Sequence, residues 1–437
     1  MNYPQAIAFL DSFLNFEKIT DYRYPEAFSL DRVRRLLSSL GDPQRLPLVL
    51  HVAGTKGKGS TCAFAASILS CAGLKTGLYT SPHLFSFRER IQISGRLITE
   101  EELAWAADRL QPFAGKDLTY FEAVTACAFL HFRRAGVEAA VMEVGLGGRL
   151  DATNLVEPEV TAITPVSFDH MAKLGNRLSQ IAAEKAGILK QGIPAVVAPQ
   201  PSEALGVIES VAARVGAPLH RVDREVEILA GELTPAGSRA GFRTPVRSYE
   251  GLRVPLAGRH QLSNAAAAIR MAELLAQRRP DLKLDAEAIR RGIEQTAWPG
   301  RFQLLPGEPP VVVDGAQNAE SARALKETVT ELFPGRKVFL VAGVSQEKDL
   351  EGIAREWALW AEEVFPTQAA APRAEPAEHV RAAFAAAGIR TRETGPVANA
   401  LEQACAAAIR SGGLVVVSGS LFVAAEVLLA RGFAPPA

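Results

Sequence analysis

The chain has 437 residues, more than one ordinary hydrophobic core accommodates, so its length points to two or three domains of roughly 100 to 200 residues each. Lys plus Arg and Asp plus Glu stand at 48 each, so there is no overall basic field to attract nucleic acid or an anionic membrane, and an anionic substrate has to be held locally. The four cysteines, Cys62, Cys71, Cys127 and Cys405, form no C-x-x-C pair, which argues against a disulfide framework or structural zinc and for reduced thiols in the cytoplasm.

The N-terminal stretch MNYPQAIAFLDSF has no basic leader and meets Asp11 early. The apolar stretch at 414–429 is interrupted by Ser418, Gly419, Ser420 and Glu426, so the expectation is a soluble monomer without a cleaved signal. Between these ends, short β-branched runs alternate with Ala/Leu-rich helical stretches. The runs are LPLVLHVAG, KTGLYTS, AAVMEVG, VTAITPV and PAVVAP, then PVVVDG, KVFLVAG and LVVVSGS. That alternation predicts an α/β fold with mostly parallel sheets. Residues 221–256, rich in charge and turn formers, read as an antiparallel excursion or a long loop decorating the first domain. Helical stretches at 261–275 and 284–295 follow, and Trp298, Pro299 and Gly300 break the pattern. The boundary is placed there, giving domains 1–297 and 298–437, the second with its own sheet.

The strongest local signal is VLHVAGTKGKGST, in which an apolar strand ends at Ala53, a glycine-rich turn follows and a helix opens near Ser60. Glycines let backbone N–H groups approach phosphate oxygens, a helix N-terminus adds positive potential, and Lys58 supplies charge to the β- and γ-phosphates. The hydroxyls of Ser60 and Thr61 are candidates for phosphate or metal contact. The common G-x-x-x-x-G-K-[ST] pattern is not matched, because Val52 stands five before Gly57 and Gly59 intervenes between Lys58 and Ser60. The loop is a variant, and its bland alternative is a flexible Gly/Lys turn.

GTKGKGST resembles the phosphate loop of the folylpolyglutamate synthase and dihydrofolate synthase family of the Mur ligase superfamily. The resemblance continues through YTSPHL, RERIQISG, EVGLGGRLDATN, EKAGILK, HQLSNAAAA, PGRF and DGAQN, in order and over nearly the whole chain. Sister ligases that build peptidoglycan typically have Thr in place of Gly59 and a sugar-nucleotide-binding domain ahead of the loop, for which residues 1–53 leave no room. The resemblance implies a phosphate-loop-containing central domain and a smaller Rossmann-like C-terminal domain. It also implies an ATP- and Mg²⁺-dependent ligase that activates a folate or dihydropteroate carboxylate as an acyl phosphate and joins it to glutamate. The alternatives are another amide ligase of the superfamily, or a slow ATP-dependent switch that responds to a macromolecular partner.

By that resemblance ATP is met by Gly54, Thr55, Gly57, Lys58, Gly59, Ser60 and Thr61, with Asn264, Arg301, Asp314 and Gln317 reaching it from beyond the loop. Local readings of three of these are a helix N-cap for Asn264, a surface charge for Arg301 and a strand-end turn for Asp314. Gln317 replaces the family's usual histidine and cannot carry a proton. Ser81, Glu143 and His170 are implied metal residues, and Ser167–Phe168 stand where the family usually has Gly-Leu. In the pteroate region lie His83, Phe121, Glu122, Leu150, Asp151 and Ala152. Phe121 and Glu122 read equally as an aromatic anchor and a helix-terminal acid; Arg88 and Arg90 read equally as solvated charges. Lys185 shares a helical face with Ile181, Ile188 and Leu189. The resemblance makes it a carbamylated second-metal ligand, whereas spacing alone allows an ammonium that snorkels out or pairs with Glu184.

Overall fold

The computed structural model describes residues 1–19, 28–115 and 117–433. Its first sheet is made of β1 (Val49–Ala53), β2 (Thr76–Tyr79), β3 (Ile91–Ile93), β4 (Arg96–Leu97), β5 (Ala139–Glu143), β6 (Val160–Ile163), β7 (Ala195–Val197) and β8 (Leu219–Arg221), in the order β4-β3-β2-β5-β1-β6-β7-β8. From β2 to β8 every neighbour pair is parallel, and the β3–β4 hairpin adds an antiparallel edge. Every residue of β1, β5 and β6 is buried, as expected of parallel strands covered by helices on both faces.

Residues 221–256 form the antiparallel excursion: β9 (Glu227–Thr234), β10 (Gly237–Arg243) and β11 (Ser248–Val254), ordered β11-β10-β9. Its inward residues Ala240, Phe242, Tyr249, Leu252 and Val254 join the core of the first sheet across helix Arg259–Arg278. A buried polar knot pins it there. Glu273 on that helix accepts hydrogen bonds from Thr244 Oγ1 at 2.7 Å and Tyr249 Oη at 3.0 Å, with the Arg270 guanidinium 3.4 Å away.

The third sheet contains β12 (Gln303–Leu305), β13 (Val311–Val313), β14 (Val338–Ala342), β15 (Ala361–Pro366) and β16 (Leu414–Ser418), in the order β12-β13-β16-β14-β15. All pairs are parallel except β12–β13, and helices cover both faces with separate cores. The two parallel sheets turn strand ends toward one another, and Leu84 and Phe85 from the loop after β2 pack against the core of the third sheet.

Candidate active site between the two parallel sheets

The site is built where strands of open α/β sheets end, because there the chain leaves the sheet in short loops that can surround a ligand. After β1 the chain enters the glycine-rich loop, and two of its glycines are required by geometry. Gly54 has φ +147° and a Cβ there would lie 1.8 Å from Thr164 Oγ1; Gly57 has φ +82° and a Cβ would lie 2.3 Å from Asn264 Oδ1. Helix Lys58–Cys71 opens two residues before the expected start at Ser60, so Lys58 is itself helical and Gly59 and Ser60 lie in the first turn. Gly59 is roofed by Trp298, whose Cζ2 would be 3.1 Å from an added Cβ. The Thr55 hydroxyl donates to Ser167 O at 3.2 Å and accepts from Ser167 N–H at 3.1 Å, tying this loop to the one after β6.

Glu143, the last residue of β5, is 4% exposed. Its carboxylate accepts the Ser81 N–H at 3.2 Å and lies 3.8 Å from Lys58 Nζ. Burial pushes its pKa up, and Lys58, the Ser81 N–H and Arg301 oppose that rise without cancelling it. The Thr61 hydroxyl is buried with no hydrogen-bond partner among the described residues. A buried carboxylate short of positive charge and an orphaned hydroxyl fit a hard, oxygen-seeking cation such as Mg²⁺. No group of three His, Cys, Asp or Glu suited to a metal occurs among the described residues, so protein ligands would be few, as suits Mg²⁺ held partly by phosphate and water.

Lys185 is 5% exposed and donates from Nζ to Gly54 O at 2.8 Å. Burial first, then the charges of Lys58 and Lys56, bring its pKa from 10.5 to about 7, against the pull of Asp169. Glu184 pairs with Arg149 at 2.8 Å. The snorkelling alternative for Lys185 is thereby overturned. Asp169 is gripped by Lys56 Nζ at 3.1 Å and by Lys348 Nζ, from beyond β14, at 2.7 Å. Burial resists its charge, but Lys56, His170 and Lys348 hold its carboxyl well below the usual range. His170 has φ +50°, and its side chain is 40% exposed in the cleft. Crowding by the walls, then Lys348, lowers the imidazole pKa and keeps it neutral, with a lone pair available to a metal.

The expected pteroate residues lie on one wall. Phe121 packs so closely on Gly145 that an added Cβ would be 2.4 Å from its Cζ, and it tilts against Tyr79 at 6.0 Å between centroids. Glu122 is the helix-terminal acid of the two readings: it accepts the Thr119 N–H at 2.8 Å and pairs with Arg32. Asp151 is likewise engaged, accepting Gly145 and Leu146 N–H at 3.0 Å each and the Thr153 hydroxyl at 2.6 Å, with Leu150 half-buried and Ala152 buried beside it. His83 Nδ1 accepts from Arg90 Nε at 2.9 Å, and burial together with Arg90 lowers its pKa to about 4. Arg90 is 2% exposed and forks onto Glu17 at 2.8 and 2.6 Å, so it is no solvated charge. Arg88 is half-buried and donates to Ile98 O.

Asn264 lies well inside helix Arg259–Arg278, whose N-cap is Gly258, so the capping alternative fails; its amide donates to Gln261 Oε1 at 2.9 Å. Asp314 makes the strand-end turn, accepting Phe302 N–H and Ala316 N–H at 2.8 Å each. Arg301 is half-buried, donates to Gly300 O at 3.3 Å and is close enough to act on Glu143. The Gln317 N–H donates to Ser321 Oγ at 3.0 Å, and Asn318 Nδ2 crosses to Phe168 O at 3.4 Å. Sequence reasoning singled out neither Lys56, Lys348, Glu17, Glu347 nor Arg373. Lys56 stood inside the quoted loop, whereas the others lie in connections with no periodic signal.

Residues 52–272 match the Mur ligase middle domain and residues 300–421 match the Mur ligase glutamate ligase domain. A Bacillus subtilis dihydrofolate synthase/folylpolyglutamate synthase is 40% identical over 75% of this chain and 77% of its own length. A Lacticaseibacillus casei folylpolyglutamate synthase is 33% identical over 98% of both. The chain belongs to the folylpolyglutamate synthase/dihydrofolate synthase family. Solved structures of that family superpose closely. A Mycobacterium tuberculosis folylpolyglutamate synthase complexed with ADP and AMPPCP has a TM-score of 0.87 at 31% identity, covering 93% of this chain and 96% of the other. Escherichia coli FolC in complex with DHPP and ADP has a TM-score of 0.86 at 30% identity, covering 99% and 98%. Gln317 stands where the resemblance led to the expectation of a histidine.

Proposed function

We propose that this chain joins L-glutamate to a folate in an ATP- and Mg²⁺-dependent reaction, using residues 1–297 for ATP and the acceptor and residues 298–437 to close over them. The observation that carries the reading is the convergence of Lys58, Glu143 and Lys185 on the Gly54–Thr61 loop. In this assignment the loop N–H groups and Lys58 hold the phosphates, with Asn264, Arg301, Asp314 and Gln317 framing the nucleotide. Glu143, Ser81 and His170 would hold Mg²⁺, which when bound neutralises charge on the transferring phosphoryl group. The neutral amine of Lys185 captures CO₂: an N–C bond forms, a proton leaves, and the carbamate adds anionic oxygens beside Gly54.

The acceptor carboxylate attacks the γ-phosphorus and ADP departs, leaving an acyl phosphate. The glutamate amine then attacks the acyl carbon and inorganic phosphate leaves. No covalent enzyme intermediate is needed, so positioning and electrostatics supply the acceleration. Phe121, His83 and the backbone fixed by Asp151 form the acceptor wall. Closure of the two parts around the acyl phosphate excludes water that would hydrolyse it. We take the working unit to be a cytoplasmic monomer acting on small molecules; no helix among the described residues is long and apolar enough to cross a membrane. The test is ADP release with dihydropteroate and with reduced folates, each with and without glutamate. Release that requires both an acceptor and glutamate is expected, activity with dihydropteroate adds the second synthase activity, and release independent of glutamate would reject the ligase reading.

A further inference from the structure

Across the cleft from the phosphate loop, a second cationic seat is already filled by a carboxylate of the chain itself. Glu347, two residues before Asp349 caps a helix, sits at φ +64°, a conformation unfavourable for a side chain with a Cβ. Its Oε2 accepts from Arg373 Nη2 at 2.6 Å and its Oε1 lies 3.8 Å from Lys173 Nζ. Arg373 belongs to the third-sheet part and Lys173 to the short helix Met171–Leu174 after β6, so the pair bridges the two parts of the molecule. Lys173 is 7% exposed, Arg373 18% and Glu347 30%; the carboxylate is the most accessible member of the three.

The guanidinium is only partly satisfied. Nη1 donates to Glu17 O at 3.3 Å, whereas Nε is buried with no hydrogen-bond partner among the described residues. Nε and Nη2 form the side-on fork that a carboxylate fills with two parallel hydrogen bonds, yet Glu347 takes only one prong. The neighbours are the site itself: Glu347 precedes Lys348, which reaches Asp169 and through it Lys56 of the phosphate loop, and Glu17 leads to Arg90 and His83.

We propose that Arg373 and Lys173 form a seat for a glutamate carboxylate of the substrates, and that Glu347 occupies it until a substrate carboxylate displaces it. The inference rests on the ligase reading above and names the residues that recognise the glutamyl group. Two sources share this chemistry, the incoming glutamate and the terminal glutamyl residue of the folate.

The experiment measures ADP release by the full chain with tetrahydrofolate, varying ATP, folate and glutamate in turn, for the native chain and for Arg373→Met, Arg373→Lys and Glu347→Gln. Arg373→Met is expected to raise one KM by about tenfold or more, because a charge-assisted fork is lost. A rise in KM for glutamate assigns the seat to the incoming amino acid, and a rise in KM for the folate assigns it to the glutamyl tail. Arg373→Lys should recover only part of the loss, since an ammonium cannot fork. Glu347→Gln should move the same KM in the opposite direction, lowering it by about threefold, because the internal competitor loses its charge. A merely structural ion pair would not give opposite shifts from its two halves. The proposal is overturned if the KM for ATP shifts as much as the others, if neither carboxylate KM moves beyond about twofold in folded Arg373→Met, or if Glu347→Gln raises the KM that Arg373→Met raises. Thermal midpoints establish that each variant is folded. A native chain with no glutamate-dependent ADP release would instead fail the ligase reading.

Discussion

Replacing Lys185 by methionine should abolish ligation and yet make the folded chain more stable at neutral pH. The magnitude follows from the burial of the amine, whose pKa is about 7 in the folded chain against 10.5 when unfolded. At pH 7 that gap costs the folded state about 4 kcal/mol, at roughly 1.4 kcal/mol per pKa unit. Methionine has a similar length and no charge to desolvate. It also forfeits the hydrogen bond to Gly54 O and leaves that carbonyl without its donor, a loss of about 1 to 2 kcal/mol. The net expectation at pH 7 is a gain of about 2 kcal/mol.

The sign depends on pH. A lysine with a depressed folded pKa imposes its whole penalty below that pKa, and the penalty fades as pH rises toward the unfolded value of 10.5. Above roughly pH 9 the remaining penalty is smaller than the lost hydrogen bond, so the variant should become the less stable chain there. Thermal midpoints of both chains in CO₂-free buffer from pH 7 to 10 read this directly. Adding bicarbonate should then raise the midpoint of the native chain and leave the methionine variant unmoved, because only the native chain can form a carbamate. A variant less stable by the same amount at every pH, with no response to bicarbonate in either chain, would refute both the buried neutral amine and its modification.

Lys58→Ala should lower ligation by about a hundredfold or more while the thermal midpoint stays near that of the native chain, since the side chain contributes charge to the transferring phosphoryl more than packing. Near-normal turnover would remove Lys58 from its assigned place. Glu143→Gln deletes one anionic oxygen ligand with little change of shape, so the Mg²⁺ concentration giving half-maximal activity should rise by about tenfold; an unchanged titration counts against the metal assignment. Gln317→His should alter turnover by no more than about threefold, because the chain already works with a neutral amide there. A large gain would mark it as a weakened family member.

The parallel strands were legible because burial on both faces writes them as mostly apolar runs, and β1, β5, β6, β13, β14 and β16 all fall inside runs visible by eye. Hairpin β3–β4, with strands of three and two residues, has no such run and merged into a charged stretch. Local bonds were legible too, as alternatives that stood beside the ligand readings. Thr119 and Glu122 stand at the three-residue spacing of a capping box, and that box, with Arg32, holds the Glu122 carboxylate. Asp314 and Asp151 follow the same rule, since each carboxylate sits within a few residues of the N–H groups it accepts. An acidic residue at a strand end therefore has a backbone partner in reach before any ligand arrives.

Lys185 shows where local reasoning stops. Helical spacing put it on an apolar face, but its acceptor, Gly54 O, is 131 residues away, and the difference between snorkelling and burial depends on that contact. The charges that span the cleft are less visible still. Asp169 and Lys348 are 179 residues apart, both in connections without hydrophobic period, and a lone charge in a loop reads as solvated unless the opposing loop is known. Such cross-cleft pairs form only when two separately folded sheets bring their strand ends together. They are therefore the part of the site that local sequence pattern cannot encode.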